Sequence, residues 1–174
     1  IAKAAGVKEH KIVNLLLNQW SGCALTDPDM EVEDGHIERQ DIPSTYVPAR
    51  NMVFLSVAAS LADALDITDI FIGVSEVDYS GYVDCREEFI KAMENAINLG
   101  TVLGAEKKQR ITIHAPFMHL TKAEEVKLGV SLGVDFGLTW ICYRGGEHPC
   151  GVCDSCLLRA KAFAEANEID PLVC

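Results

Sequence analysis

The sequence predicts an α/β fold with a mainly parallel sheet flanked by helices, and a four-cysteine metal site near the C-terminus. Three observations carry this expectation. Short β-rich runs alternate with stretches of helical period along the chain, the order that parallel βαβ units require. The run 69–74, Asp-Ile-Phe-Ile-Gly-Val, is almost continuously apolar and closes near a glycine, as a strand buried on both faces does. Finally, Cys142, Cys150, Cys153 and Cys156 are separated by seven, two and two residues, close enough for their thiolates to share one ion.

The opening Ile1-Ala2-Lys3-Ala4-Ala5-Gly6 reads as the end of a helix with Gly6 as its stop, so residues upstream of Ile1 are expected. Lys11, Ile12 and Val13 suggest a short strand, and 15–20 a helical turn. The acidic segment 27–35 carries turn signals at Asp27-Pro28 and Asp34-Gly35 and reads as an exposed excursion. Pro43 and Pro48 predict an extended approach over 42–49 to the next helix. Over 51–65, Val53, Phe54, Val57, Ala58, Leu61, Ala62 and Leu65 recur at helical spacing and are expected to face a core. After the strand at 69–74 come a polar loop over 75–86, an amphipathic helix over 86–99 and a strand over 110–113. Helices over 122–132 and 154–167 complete the order, with no internal repeat or low-complexity segment.

A chain of 174 residues with 49% hydrophobic content supports one domain over 1–174 with a proper core. Its net charge of -11 repels phosphate backbones, and no basic stripe offsets that field, so nucleic acid is not expected as a partner. No apolar run reaches the roughly 18 residues of a membrane span and no signal peptide is visible, so a soluble protein is expected. Seven cysteines, an odd number with four clustered, fit a reducing cytoplasm better than a secreted disulfide scaffold. Cys23, Cys85 and Cys174 are then free thiols.

Four thiolates close a tetrahedral shell around zinc and leave no position for water or substrate, so such a zinc is structural. Turns at Gly145, Gly146, Pro149 and Gly151 make the loop over 142–156 easy to close. An iron-sulfur cluster is the chemical rival, although the Cys-Pro that ends the bacterial ferredoxin pattern is missing; disulfides or free thiols are the remaining reading. His148 stands beside a complete ligand set and reads as a bystander.

The loop after the 69–74 strand gathers Asp78, Tyr79, Ser80, Tyr82, Asp84 and Arg86. Tyrosine offers a stacking face, aspartate accepts from the amino and ring N–H groups of a purine-like base, and arginine clamps a carboxylate. The alternative is that these groups cap the helix starting near Arg86, with Asp84 at its N-cap. Arg50 and Asn51 fall at a helix start, where free N–H groups and the dipole favour anions. Lys122, after Thr121 at another helix start, is a third candidate, with a solvated surface lysine as its alternative. The sequence contains no glycine-rich phosphate cradle, serine nucleophile elbow or catalytic Cys-His signature.

Thr45-Tyr46-Val47-Pro48-Ala49-Arg50-Asn51, the run from Gly73 to Arg86, and the cysteines closing with Cys153-Asp154-Ser155-Cys156 together closely resemble the 7-cyano-7-deazaguanine synthases. These are enzymes of queuosine precursor synthesis in the ATP pyrophosphatase superfamily, and the resemblance runs from Ala2 to about Pro171. It implies a Rossmann-like sheet of the adenine nucleotide alpha-hydrolase type. It also implies an ATP-dependent carbon-nitrogen ligase that converts 7-carboxy-7-deazaguanine and ammonia into the 7-nitrile. In such enzymes ATP adenylates the carboxylate, ammonia displaces AMP to give an amide, and a second ATP activates the amide oxygen for dehydration. The resemblance gives Asp78, Tyr82 and Asp84 the reading of the base, with Asn51 beside them, and gives Arg50, Arg86 and Lys122 the neutralising of carboxylate or phosphate charge. It gives Cys142, Cys150, Cys153 and Cys156 a structural zinc, and implies magnesium with the ATP, a homodimer and a cytoplasmic location. The family's Ser-Gly-Gly-x-Asp-Ser phosphate loop is absent from this sequence and is expected upstream of Ile1. The rival classes are an iron-sulfur-dependent tRNA thiolase of the same superfamily and a non-enzymatic zinc-stabilised interaction module.

Overall fold

Helix α1, Arg50–Leu65, carries no charged residue between Arg50 and Asp63, so no charged face marks its solvent side. In the computed structural model, which describes residues 1–19, 22–36, 41–75 and 82–172, tertiary packing makes the choice. Leu55, Ala59 and Ala62 enter the core, while Phe54, Leu61 and Leu65 are exposed. Of the residues expected to face inward, Ala62 lies in the core and Ala58 packs against it.

The chain continues through β1 (Asp69–Phe71), a 3₁₀ turn (Val83–Cys85), α2 (Glu87–Gly100), the short α3 (Val102–Ala105), β2 (Thr112–His114), α4 (Lys122–Ser131), a 3₁₀ turn (Phe136–Leu138) and α5 (Asp154–Ala166). The expected α/β order holds, and β1 pairs with β2 in parallel, Ile70 opposite Ile113 and Phe71 opposite His114. The expectation that β1 is buried on both faces does not hold. Ile70 is buried, whereas Phe71 is 70% exposed and stacks on His114 at 4.5 Å between ring centres. The core of α1, α2 and β2 side chains covers one face of the pair, and the side-chain alternation of a strand sends Phe71 to the other.

The outer hydrogen-bonding edge of β2 is taken by side chains of α2. Asn98 donates from Nδ2 to the Ile111 carbonyl at 2.7 Å and accepts the Ile111 N–H at 2.8 Å, and Glu94 accepts the Ile113 N–H at 2.8 Å. These polar side chains satisfy an edge that would otherwise be open to pairing. Leu103 of α3 and Ile111 are fully buried beneath this arrangement. Asp63 of α1 accepts the N–H groups of Val102 and Leu103, and Thr101 accepts that of Gly104, so the start of α3 is capped from two sides.

Several local expectations are corrected. Residues 11–13 form no strand among the described residues, and Ile12 is 80% exposed; so short a run without a neighbour to pair with gains nothing from extension. Of the turn expected over 15–20, Leu17–Gln19 is a 3₁₀ turn and residue 20 lies outside the described residues. The extended approach over 42–49 is instead two successive turns, closed by Tyr46 N–H to the Pro43 carbonyl at 3.0 Å and Arg50 N–H to the Val47 carbonyl at 3.2 Å. At the chain start Gly6 has φ 66°. Val7 N–H bonds the Ala2 carbonyl and Gly6 N–H that of Lys3, the paired bonds of a Schellman helix stop.

Contacts divide the chain into two compact units. One is built from the described residues of Ile1–Arg39, Pro43–Tyr46 and Lys122–Cys174, the other from those of Gln40–Ile42 and Val47–Thr121. The second holds α1, β1, α2, α3 and β2. In the first, α4 packs on α5 through Ala123, Val126, Ala162, Phe163 and Ala166, with Phe136 edge-on to Phe163 at 5.1 Å. Among the described residues no helix is long and apolar enough to cross a membrane.

Candidate functional site

Two sequence motifs separated by some thirty residues meet at the start of α1. Pro48 sits inside the turn that closes on Arg50, and Ala49 follows with φ 53°, a left-handed conformation that aims the next residues into the helix. The backbone N–H of Asn51 donates to Asp84 Oδ2 at 2.8 Å, Asn51 Nδ2 donates back to the Asp84 carbonyl at 3.1 Å, and the same amide reaches Cys85 Sγ at 3.3 Å. Asn51 and Asp84 are both buried. Asp84 therefore caps α1 from across the fold, not α2: Arg86 takes the N-cap position of α2 and makes no side-chain cap there. The 3₁₀ turn Val83–Cys85 is what points Asp84 inward.

Arg50 lies over the Tyr82 ring, 5.7 Å from its centre. Among the described residues its guanidinium makes no ion pair or hydrogen bond, and exposed Arg86 makes none either. An uncommitted guanidinium over an aromatic ring suits a flat ligand carrying a carboxylate or phosphate. Of the residues the sequence points to, Arg50, Asn51, Tyr82 and Asp84 are thus brought together, with Arg86 at the end of the same turn. Asp78 lies outside the described residues. Lys122 opens α4 in the other unit and is engaged by both oxygens of Glu125, at 2.8 and 3.0 Å.

The cysteines form the second centre. The sulfurs of Cys142, Cys150, Cys153 and Cys156 all lie within 4.8 Å of one another, with Cys150 and Cys156 at 3.9 Å. Around a single tetrahedral ion with metal–sulfur bonds of about 2.3 Å, sulfurs stand roughly 3.8 Å apart, so the donor set fits one metal ion. A cluster would hold the thiolates on separate irons and spread them further. Gly145, Gly146 and Gly151 have left-handed backbones that fold the loop back, and Cys153 is the N-cap of α5, so Cys156 sits in its first turn. Three of the four cysteines are buried. Burial pushes the Cys156 thiol up to about 12. At Cys150 burial acts the same way but is outweighed by the N–H groups of Val152 and Cys153 and the neighbouring thiols, which hold it at about 6. Without a cation the cluster keeps part of its protons; a metal ion supplies the charge that lets all four sulfurs ionise. Cys23 and Cys85 are buried and form no disulfide among the described residues, and Cys174 lies outside the described residues.

Sequence reasoning missed how the acidic excursion is tied to this loop. Arg144 donates to the Val32 carbonyl at 2.9 Å and to Asp34 at 2.7 Å, Gly35 N–H reaches the Val152 carbonyl at 2.7 Å, and His36 N–H reaches Asp154 at 2.6 Å. The Asp34 carboxylate raises the Arg144 guanidinium above its ordinary value. A cleft of about 710 Å³ opens between the two segments, lined by Thr26, Asp27, Glu31, Tyr143 and Arg144 among others. No local pattern announces a pairing of residues 110 or more positions apart. The one available signal is a cation two residues after Cys142 in a strongly acidic chain.

A family model described as queuosine biosynthesis protein QueC matches residues 1–167. The chain is 55% identical over 172 residues to the 7-cyano-7-deazaguanine synthase of Clostridium kluyveri, covering 99% of this chain and 76% of that protein. It is 51% identical to the 7-cyano-7-deazaguanine synthase of Thermoplasma acidophilum, over 99% of this chain and 71% of that protein. With the protein of the same name from Nostoc punctiforme it shares 48% identity over 99% of this chain and 78% of that protein.

Proposed function

We propose that this chain, which belongs to the queuosine biosynthesis protein QueC family, converts 7-carboxy-7-deazaguanine, ammonia and ATP into 7-cyano-7-deazaguanine. The observation that carries the reading within the structure is the meeting of the Arg50-Asn51 motif with the turn that holds Asp84, where Arg50 lies over the Tyr82 ring and its guanidinium makes no ion pair or hydrogen bond among the described residues.

The chemistry needs a positive environment at two moments. The carboxylate oxygen attacks the α-phosphorus of ATP and pyrophosphate leaves, giving an acyl adenylate; ammonia then displaces AMP with loss of a proton, giving the amide. The amide oxygen attacks a second ATP, pyrophosphate leaves again, and elimination of AMP with loss of the two N–H protons gives the nitrile. Arg50 and Arg86 hold the substrate carboxylate and offset the charge that develops on the transferred α-phosphate, and Lys122 is assigned to neutralising carboxylate or phosphate charge. Tyr82 stacks on the heterocycle, and Asp78 reads its ring and amino N–H groups. Magnesium accompanies the ATP. Zinc, bound by Cys142, Cys150, Cys153 and Cys156, supplies structural closure of the loop over 142–156 and takes no part in the bond changes. The enzyme works as a cytoplasmic homodimer. The close sulfur spacing and the net charge of -11 favour this reading over an iron-sulfur tRNA thiolase.

The test is incubation of the full-length protein with ATP, ammonium and the carboxylate, following the heterocycle by mass. Formation of the nitrile with release of AMP is expected. An unchanged heterocycle in metal-loaded protein would overturn the reading.

A further inference from the structure

We propose that Asp84 is a positioning residue: with Asn51 it forms a buried reciprocal lock that holds the start of α1 on the 83–85 turn, so that Arg50 meets the anionic end of the substrate and Asp84 does not touch it. This rests on the synthase reading above, and it reassigns Asp84 and Asn51 from substrate contact to support.

The Asp84 carboxylate is placed for the protein, not for a ligand. Asp84 is 4% exposed, and its Oδ2 already accepts the Asn51 N–H at 2.8 Å. The Asn51 side chain returns the bond to the Asp84 carbonyl and to Cys85 Sγ, so the two segments hold each other at both ends. A flat heterocycle could not reach that carboxylate without opening the turn that aims it.

Arg50 has the opposite character. It is partly exposed, and the Tyr82 ring holds its cation without using any of its five N–H donors. Ala49 just before it keeps a left-handed backbone that a residue with a Cβ adopts only when its surroundings enforce it. The lock on the second residue of α1 is one of the contacts that hold it, beside the Arg50 N–H bond to the Val47 carbonyl. A guanidinium with free donors, fixed by backbone bonds, suits a carboxylate or an α-phosphate whose charge grows during reaction.

Asp84→Asn keeps an acceptor oxygen in the same place but loses the charge, whereas Asp84→Ala loses the acceptor. In the full-length enzyme Asp84→Asn is expected to stay within about threefold of wild-type kcat and KM. Asp84→Ala is expected to lose about 100-fold in kcat, as misplaced groups do, with metal content unchanged. Adding Asp84→Ala to Arg50→Ala should cost nothing further, because one acts through the other. A raised KM for the heterocycle in Asp84→Asn, additive losses in the double variant, or full activity in Asp84→Ala would each overturn the proposal. If Asp84→Ala does not fold, Asp84→Asn decides alone. A wild-type enzyme that forms no nitrile overturns the synthase reading instead. The lock is then judged by hydrogen exchange at the Asn51 amide: slow in wild type and Asp84→Asn but fast in Asp84→Ala is expected, and equal rates in all three would overturn it.

Discussion

Ala49 bears a conformational cost that a glycine would not, since a left-handed backbone brings its Cβ against the following carbonyl. Ala49→Gly should therefore raise stability by about 0.5–1 kcal/mol, measured by denaturant unfolding; a loss of stability would mean that the turn does not strain this residue. A second residue-scale feature, absent from the sequence reading, is the Arg159 guanidinium. It forks onto both oxygens of Asp170 at 2.6 and 2.8 Å, reaches Thr139 Oγ1 at 2.8 Å, and lies 5.0 Å over the Phe163 ring. Burial pushes the Asp170 carboxyl up, but the Arg159 bonds and the Leu172 N–H pull it further down, so its net position is below the ordinary carboxylate value. A carboxyl held low when folded adds stability that is present above its unfolded value of about 3.9 and is lost as pH falls through the folded value. Unfolding free energy should thus fall with acidification below about pH 4, and that part of the slope should vanish in Asp170→Asn. Asp170→Ala, which strands the buried guanidinium, should cost about 3 kcal/mol.

At the scale of elements, the acidic excursion and the cysteine loop behave as one piece. A Cβ on Gly35 would stand 2.5 Å from the Asp154 nitrogen, so the close approach of the two backbones requires glycine there. Gly35→Ala should push the segment off, break the bonds to Val152 and Asp154, and speed loss of the metal to a chromogenic chelator; an unchanged release rate would separate the two segments. The converse holds for the metal itself. Stripping it removes the ion that draws the four sulfurs together, and the Gly35 and His36 amides, bonded to that loop at 2.7 and 2.6 Å, should exchange hydrogen faster. Exchange that ignored the chelator would show that the loop holds its shape alone.

For the molecule as a whole, the charge of -11 sets the long-range field, and the cations at Arg50 and Arg86 act only at short range against it. On the proposed reading small anions that enter the site are accepted, whereas a polyanion meets repulsion over its length. No tRNA should shift in native gels at about 0.15 M salt; a shift at that salt would revive the thiolase class.

The sequence by itself determined the α/β order, the helices at α1, α2, α4 and α5 to within a few residues, the helix stop at Gly6 and the four-cysteine donor set. Each is written in local spacing: helical period, a glycine where φ turns positive, thiols two residues apart. Only the tertiary structure decided which apolar residues of α1 are core, because apolar side chains ring most of the helix and do not rank themselves. It alone turned Asp84 from the cap of its own neighbouring helix into the cap of α1, since a carboxylate bonds whichever N–H the fold presents. It also joined Arg144 to Asp34 and Arg159 to Asp170. Those pairings depend on chain segments meeting in space, and residue spacing along the chain carries no record of that.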